Sequence, residues 1–569
     1  MPQKIIFSKA PLIQIAHSSL SRGMVRVSNP EIKKLYHYLS GLTHLSEALE
    51  PAFSLSCLLK NEPLSEKPAK VIMKHLQDKA DGSFNGNIQE QIFIARAALS
   101  LFEYTTDRNI LNRLVSWCRF LETEWDTFEK EFCIRIQCAD LMEFLVRLYR
   151  ISGVKAILRI CAKLRSASFD WVSYLHNEKC RGSVFFAGKE KEITDMFHSP
   201  LGEEIDYFQT QYYINHAELV ADAVRYSAYA GIFSGNSQEL SAGKTGWSQI
   251  YKEYHTVCGG TSGAPFFDGN GTNASIHSGA IAAWTEALTA QSMLLRESWA
   301  INELVLLIFN ALPVALRNLD RTFIQRVNTL QHDIDEKVLF SPFGDNDHES
   351  VRISCRLGRA VTAACHHAIT VSKNEICINY LIHGTFFIAG NADPIILQLT
   401  DHSAVFHNSD QESHSISLYI AQTETDVPVL FTGKRNIPIE FPEGKNRNIF
   451  IRLSRKWGKG DGILFLPGDQ PYIKECHHQG LCCYLHHRLM VLDTQNRDYA
   501  FAAIDDPIIN NNKVYLSVRK IKNWKIKDGL PADIPVRPKS SGENMLAELG
   551  FYHETSKCIS VFPKAAENE

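Results

Sequence analysis

Between residue 30 and about residue 330, apolar side chains recur every three or four positions. They do so over Ile32 to Leu49, Gln89 to Tyr104, Ile110 to Glu124, Cys138 to Ile151 and His216 to Gly231. That spacing lines one face of an α-helix, so the pattern predicts a helical array. Asp81-Gly82, Gly235-Asn236 and Gly269-Asn270 separate the periodic runs, at places where turns need residues tolerant of unusual φ. Repeated helical hairpins are the simplest arrangement. From about Glu375 the period changes to two, as in Ile376 to Ile382, Ser415 to Ala421 and Asn448 to Leu453, with Pro442-Glu443-Gly444 as a turn. Val514 to Val518 and Cys558 to Phe562 carry the strand pattern to the end of the chain. The expectation is a multidomain α+β protein with a helical domain over residues 1–372, a β-sandwich over 373–475, and a second sandwich or the completion of the first over 476–569.

Composition narrows the partners. A chain of 569 residues exceeds one ordinary core unless a single large helical barrel takes most of it. Apolar content of 45%, charged content of 22% and a net charge of −3 describe an ordinary globular protein and argue against nucleic acid. The N-terminal stretch carries Lys4 and Lys9, but its apolar runs are short and His17 interrupts them, so no signal peptide is expected. Leu304 to Leu312 has the length of a core helix, and no membrane-spanning helix is expected. Fourteen irregularly spaced cysteines suggest reduced thiols and a cytoplasmic location.

Several short motifs occur in a fixed order. Ile214-Asn215-His216-Ala217 opens a long helical run, followed by Tyr254-His255, Ser262-Gly263, and Phe309-Asn310-Ala311-Leu312-Pro313 closing another. Further on come Ile353-Ser354-Cys355 before a helix, the strand Cys377 to Ile382, the turn Trp457-Gly458-Lys459-Gly460-Asp461, and Leu549-Gly550-Phe551-Tyr552 running to Phe562-Pro563. In that order, and over almost the whole length, the chain resembles glycoside hydrolase family 127, the β-L-arabinofuranosidase-like group.

The resemblance implies an (α/α)6 helical barrel followed by C-terminal β-sandwich domains, with a sugar held in the barrel mouth. It also implies cleavage through a zinc-bound cysteine, one glutamate and three cysteines holding the metal and a second glutamate serving as acid and base. This chain departs from that pattern. Where relatives carry Glu-x-Cys-Ala it has His277-Ser278-Gly279-Ala280, and where they carry Cys-Cys it has Ser354-Cys355. Where they have an acidic pair after Ser-Gly, it has Ala264-Pro265. Only His277 and Cys355 remain as donors, against the four or so that zinc needs, so no metal and no other cofactor is expected.

Other groups remain as candidates. Glu286 and Asp268 are the carboxylates, with Ser354 and Cys355 as the nucleophile positions, for a glycosidase rebuilt without metal. His216, His255 and His277 are candidates for holding sugar hydroxyls, His216 because the resemblance places a histidine with that role at that helix start. Tyr212 and Tyr213, with Tyr207 and Phe208, are candidates to stack on the apolar side of a sugar ring. Gly260-Thr261-Ser262-Gly263-Ala264-Pro265 mimics a serine protease loop, but helical periodicity on both sides rejects that fold. Cys476 to His487 is dense in metal-ligand types, yet a period-two strand sends neighbours to opposite faces, so it reads as structure, as does His366-His367. The expected partner is a carbohydrate-like small molecule, with neither nucleic acid nor membrane, and a homodimer is the assembly left open. Three functions stand: a carbohydrate-binding protein with the zinc-cysteine site lost, an active glycosidase with rebuilt acids, or a non-catalytic scaffold.

Overall fold

The computed structural model describes residues 25–26, 29–59, 62–77, 79–177, 215–263, 267, 275–317, 326–328 and 346–372, then most strands and several turns between 375 and 559. Six of the described helices pack side by side in a closed ring. They are α1 (Ser46–Leu58), α2 (Ile88–Thr105), α3 (Ala139–Ser152), α4 (Ala217–Ser234), α5 (Ser278–Leu295) and α6 (Asn346–His367). Each touches the next and α6 returns to α1. Helices that alternate with them in sequence pack outside: Pro30–Gly41 and Glu62–His75 against α1, Arg108–Thr123 against α2, and Lys155–Ala167 against α3. Ser237–Tyr254 lies against α4 and Ser298–Leu306 against α5. The result is a helical barrel with a β region after it.

Local chemistry sets the helix ends. Asn87 and Glu90 exchange hydrogen bonds across the first turn of α2 in a complete capping box, and Asp107 and Asn236 cap the outer helices that follow them. Gly153 and Gly235 end α3 and α4 at φ +67° and +68°, where a side chain would be strained. Between layers, buried Trp117 of the outer helix stacks on Phe84 at 5.6 Å, meets Phe144 of α3 edge-on, and donates to Gln91 of α2 at 3.0 Å.

Several sequence expectations need correction. The run Ile32 to Leu49 is two helices, because the backbone turns at Leu42 to Leu45 and α1 starts afresh at Ser46. Ile353-Ser354-Cys355 lies inside α6 and not before it. The strand expected to reach Ile382 ends at Ile378. There Asn379 donates to the His367 carbonyl at 2.6 Å and the Tyr380 hydroxyl to that of Ala364 at 2.6 Å, so these residues fasten the end of α6 instead of extending a sheet. Ser298–Leu316 is long and apolar enough, by length and composition, to cross a membrane, which no window was expected to approach. In this structure 72% of it is buried, and the apolar surface faces the barrel's own core.

The β region forms three main sheets. One has seven strands in the order Val25–Arg26, Gly384–Ile388, Ile395–Thr400, Ser403–Phe406, Gly462–Leu466, Val427–Thr432, Arg435–Pro438, so the start of the described chain joins a sheet from its second half. The second pairs Ile449–Lys456, Ser413–Ile420, Glu375–Ile378 and Ile369–Ser372, and its hairpin at 372–375 straddles the division expected at 372/373. The third runs from Tyr472–Cys476 to the C-terminal strands. Within it, adjacent Cys482 and Cys483 face opposite ways. Cys482 belongs to the main core and Cys483 to a separate small core with Met490 and Leu516, the alternation a strand imposes.

Hydrogen bonds among the described residues tie this sheet to the barrel: the Tyr484 hydroxyl donates to the Val257 carbonyl at 2.7 Å, and Leu489 N–H to Asn310 Oδ1 at 2.7 Å. Asn310 sits in a π-helical turn, Leu307–Ala311, and also donates to the Leu306 carbonyl. The Phe309 to Pro313 motif is therefore a fastening point between helices and sheet.

Gly358 of α6 crosses α1 so closely that an added Cβ would lie 2.8 Å from Pro51 Cβ and 2.9 Å from Leu39. Gly41 has nothing within 4 Å of that position. We expect Gly358→Ala to destabilise the protein by about 1–3 kcal/mol and Gly41→Ala to stabilise it by about 0.4–1 kcal/mol. Thermal unfolding of the two variants should show opposite shifts.

Candidate functional site

The inward face of each ring helix is set by residues three or four apart, and on several of them those residues are charged. They are Glu47 and Glu50 on α1, Arg96 and Glu103 on α2, Asp140, Glu143 and Arg147 on α3, and Glu218, Asp222 and Arg225 on α4. Glu286 on α5 and Arg352, Arg356 and Arg359 on α6 complete the set. Contacts climb in step: Arg352 and Arg356 meet Glu218, Arg356 meets Asp222 and Glu286, and Arg359 meets Glu286. Helices α4, α5 and α6 therefore run in one direction, and their N-termini share one end of the ring, the mouth.

Six arginines and seven carboxylates make up the ion-paired lattice. Arg96 binds Glu50 at 2.8 Å, Asp140 at 3.0 Å and Glu143 at 3.4 Å. Arg225, 2% exposed, binds Asp140 at 2.6 Å, Asp222 at 3.0 Å, Glu143 at 3.2 Å and Glu286 at 3.4 Å. Arg147 closes the far end with Glu103 at 2.7 Å and Glu143 at 3.1 Å. Burial alone would raise every one of these carboxyls. At Asp140 the charges of Arg96, Arg359 and Arg225 overcome it and hold the group well below the ordinary range. At Asp222 burial wins over Arg356 and Arg225 and the pKa is raised, the direction that brings positive and negative charge towards balance.

Glu218 marks the mouth. Its carboxylate takes both terminal nitrogens of Arg352, at 2.5 and 3.0 Å, together with Arg356, and His277 Nδ1 lies 4.0 Å away. Burial pushes its pKa up, and Arg352 and Arg356 more than reverse that, leaving it well below the usual carboxylate value. His216, at the N-cap of α4, adds to the same field. His277 holds the N-cap position of α5, and its N–H donates to the Gly263 carbonyl at 2.7 Å. The short pair Ser275–His277 with Arg326–Asn328 holds the approach to α5. Gly279 leaves the wall bare: a Cβ there would lie 2.5 Å from Glu218 and 3.0 Å from His277.

The other candidates fall in different places. Glu286 is 6% exposed in mid-ring, surrounded by Arg225, Arg356 and Arg359, and not on a solvated helix face. Ser354 and Cys355 are fully buried in α6, and burial, then the charge of Glu47, pushes the Cys355 thiol well up. That is the setting of a neutral core thiol, since a nucleophilic cysteine needs its thiolate. His255 binds Glu303 at 3.0 Å and stacks on Tyr251 at 4.1 Å. Ser262 is fully buried in the loop before α5. Asp268, Tyr212, Tyr213, Tyr207, Phe208, Ala264 and Pro265 lie outside the described residues. Sequence reasoning passed over Glu218 and the arginines, although Arg352, Arg356 and Arg359 have the spacing that puts three side chains on one helix face.

Removing one partner of a buried ion pair leaves an uncompensated charge, so Glu218→Gln should cost about 3–5 kcal/mol. Because the folded-state pKa of Glu218 is depressed, its stabilisation is complete above the ordinary carboxylate pKa and is lost as pH falls below it. Melting temperatures of wild type and Glu218→Gln should therefore differ by a constant gap above about pH 5 that narrows on acidification. A gap independent of pH would refute the assignment.

Among curated proteins and family models the sequence has no match. Among solved structures the likeness spans nearly the whole chain. One is a glycoside hydrolase, 13% identical, covering 98% of this chain and 100% of its own, with a TM-score of 0.67. A second is the family 127 β-L-arabinofuranosidase of Geobacillus stearothermophilus T6, at 12% identity, 95% and 94% coverage and a TM-score of 0.62. A third, a family 127 β-arabinofuranosidase, gives 12%, 97%, 99% and 0.60. Such low identity speaks for backbone architecture alone: the chain has the fold of the glycoside hydrolase family 127 β-L-arabinofuranosidases.

Proposed function

We propose that this is a glycoside-hydrolase-like protein that binds a carbohydrate or a glycosylated metabolite at the mouth of an (α/α)6 barrel backed by β-sandwich domains, and that it does so without the zinc-cysteine route of hydrolysis. The observation that carries this reading is the state of Glu218. Its carboxylate is taken by two guanidinium groups beside His277, at the wall that Gly279 leaves without a donor.

The residues present do not fit the zinc that the fold family implies. A zinc ion wants about four donors. Here His277 stands near two fixed positive charges, which would repel a cation, and Cys355 is a buried, neutral thiol. Among the described residues, no group of three histidine, cysteine or acidic side chains is placed to hold a metal. The charge that an ion would supply comes instead from Arg352 and Arg356.

Binding at such a mouth follows from directional donors. Arg352 is the more open of the two arginines, with 31% of its side chain exposed. Its guanidinium is held in place by the two-pronged bond to Glu218, so a ligand at the mouth meets a positive group that is already ordered. The imidazoles of His216 and His277 sit at the helix starts that flank it. Cysteines present as thiols among the described residues support the cytoplasm as the compartment.

The test is a panel of neutral and acidic mono- and disaccharides titrated calorimetrically, with aryl glycosides assayed and zinc measured on the same preparation. Expected are saturable sugar binding, weakened at least tenfold by Arg352→Ala, substoichiometric zinc and no turnover. Stoichiometric zinc accompanied by aryl-glycoside hydrolysis would overturn the reading. Hydrolysis without zinc would favour a glycosidase with rebuilt acids.

A further inference from the structure

On the far side of the ion lattice from Glu218 lies a cavity of about 190 Å³, lined by Phe53 and Cys57 of α1, Tyr104 of α2, Met293 of α5 and His366 of α6. All of these belong to the C-terminal parts of their helices, and Glu50, Arg96 and Arg359 of the lattice close its floor. Helix α1 therefore runs in the same direction as α5 and α6, and what precedes Glu50 on it lies on the mouth side. Glu47 precedes Glu50 by one turn on the same helix face and does not line the cavity.

Glu47 differs from the other carboxylates on the inward faces. Glu50, Glu103, Asp140, Glu143, Glu218, Asp222 and Glu286 are each held by at least one arginine. Among the described residues, Glu47 makes no hydrogen bond and no ion pair. The residue is half-buried, and neither of its carboxyl oxygens is sealed from water, in contrast to Glu286 Oε2.

Its surroundings show where it looks. Glu47 lies in the field of Arg359, Arg352 and Arg356 of α6 and of Asp140 of α3, and its own charge reaches the Cys355 thiol. Helix α3 is two places from α1 round the ring, so a side chain that senses both α3 and α6 faces the opening and not the seam between adjacent helices. Arg96 of α2 is turned to Glu50, and the helices Pro30–Gly41 and Glu62–His75 pack on the outer side of α1. Burial raises the Glu47 carboxyl above its ordinary value, and Arg359 and Arg352 offset that only in part.

An accessible carboxylate with no partner accepts hydrogen bonds, and charge-assisted bonds of this kind are roughly twice as strong as neutral ones. Sugar hydroxyls are suitable donors. The arginines of the lattice are already matched by its carboxylates, so Glu47 adds an acid without a counter-charge of its own. A second negative group carried in by a ligand would be repelled there, which is how an unpaired charge discriminates between ligands of one shape.

We propose that Glu47 is a ligand-contacting and specificity-determining residue of the mouth: its carboxylate accepts from the hydroxyls of an uncharged sugar and turns away uronic acids. This rests on the reading of the mouth as a carbohydrate site and names the class of sugar it takes.

The test uses the full chain, with glucose, xylose and arabinose as neutral probes and glucuronate and galacturonate as acidic ones, titrated calorimetrically between neutral pH and about pH 5. Neutral sugars should bind more tightly than the uronates. Their binding should weaken on acidification, because Glu47 takes up its proton before Glu218, whose carboxyl is held well below the usual value. Glu47→Gln should weaken neutral-sugar binding about tenfold, the effect of one charge-assisted hydrogen bond. It should also remove the pH dependence and narrow the gap between glucose and glucuronate. Because the folded-state pKa of Glu47 is raised, the group costs stability as pH rises above the ordinary carboxylate value. Glu47→Gln should therefore leave the melting temperature at neutral pH unchanged or higher, opposite to Glu218→Gln. Preference for a uronate in the wild type, neutral-sugar binding indifferent to Glu47→Gln, or a fall in melting temperature like that of Glu218→Gln overturns the proposal and leaves the mouth reading standing. Failure of every probe to bind overturns the mouth reading itself, and this proposal with it.

Discussion

Charge neutralisation inside the helical ring is the constraint on which the rest depends. Six helices carry arginine and carboxylate side chains into a space where an isolated ion would cost many kcal/mol. Arg96, Arg225, Arg356 and Arg359 each reach carboxylates on two other helices of the ring. Arg225 alone reaches α3, α4 and α5. Such a lattice is directional where apolar packing is not. It fixes the axial register of each helix to within the length of a hydrogen bond, and that register carries the N-termini of α4, α5 and α6 to the common mouth.

The same lattice divides the ring into two chambers of different chemistry. Towards the mouth, positive charge gathers around Glu218, and histidines stand at the helix starts. Towards the far end, the charges pair off around a cavity with an aromatic side. Fixed guanidinium groups do some of what a metal does, since they hold a carboxylate in place and present positive potential. They do not, however, lower the pKa of a bound thiol or water in the way that direct coordination does. The carboxylates of this lattice are held by arginine partners.

The coupling between barrel and sheets is equally specific. Asn310 uses its amide donor inside a π-helical turn and its carbonyl oxygen to receive Leu489 N–H from a strand. A wider turn frees backbone groups that an α-helix would satisfy, and the asparagine fills that need while locking the third sheet against the barrel. The apolar stretch Ser298–Leu316, which by composition alone passes for a membrane span, is in this way a central strut of the protein.

Periodicity in the sequence was enough to separate helices from strands. Two residue types at fixed spacing, apolar at three and four or apolar at two, report which face is buried whatever the partner is. Motif order was enough for the family's fold, because Asn215-His216, Phe309 to Pro313 and Gly458 to Asp461 are local devices: an N-cap, a π turn and a turn in which Asp461 accepts from Gly458 N–H at 2.9 Å. The site was legible only in part. His216 and His277 could be named through the resemblance to the family's motifs, but Glu218, Arg352 and Arg356 are far apart in sequence and read singly as solvated helix charges. Whether an arginine faces water or another helix's carboxylate is decided when the ring closes. That is a property of three-dimensional pairing which no single segment encodes.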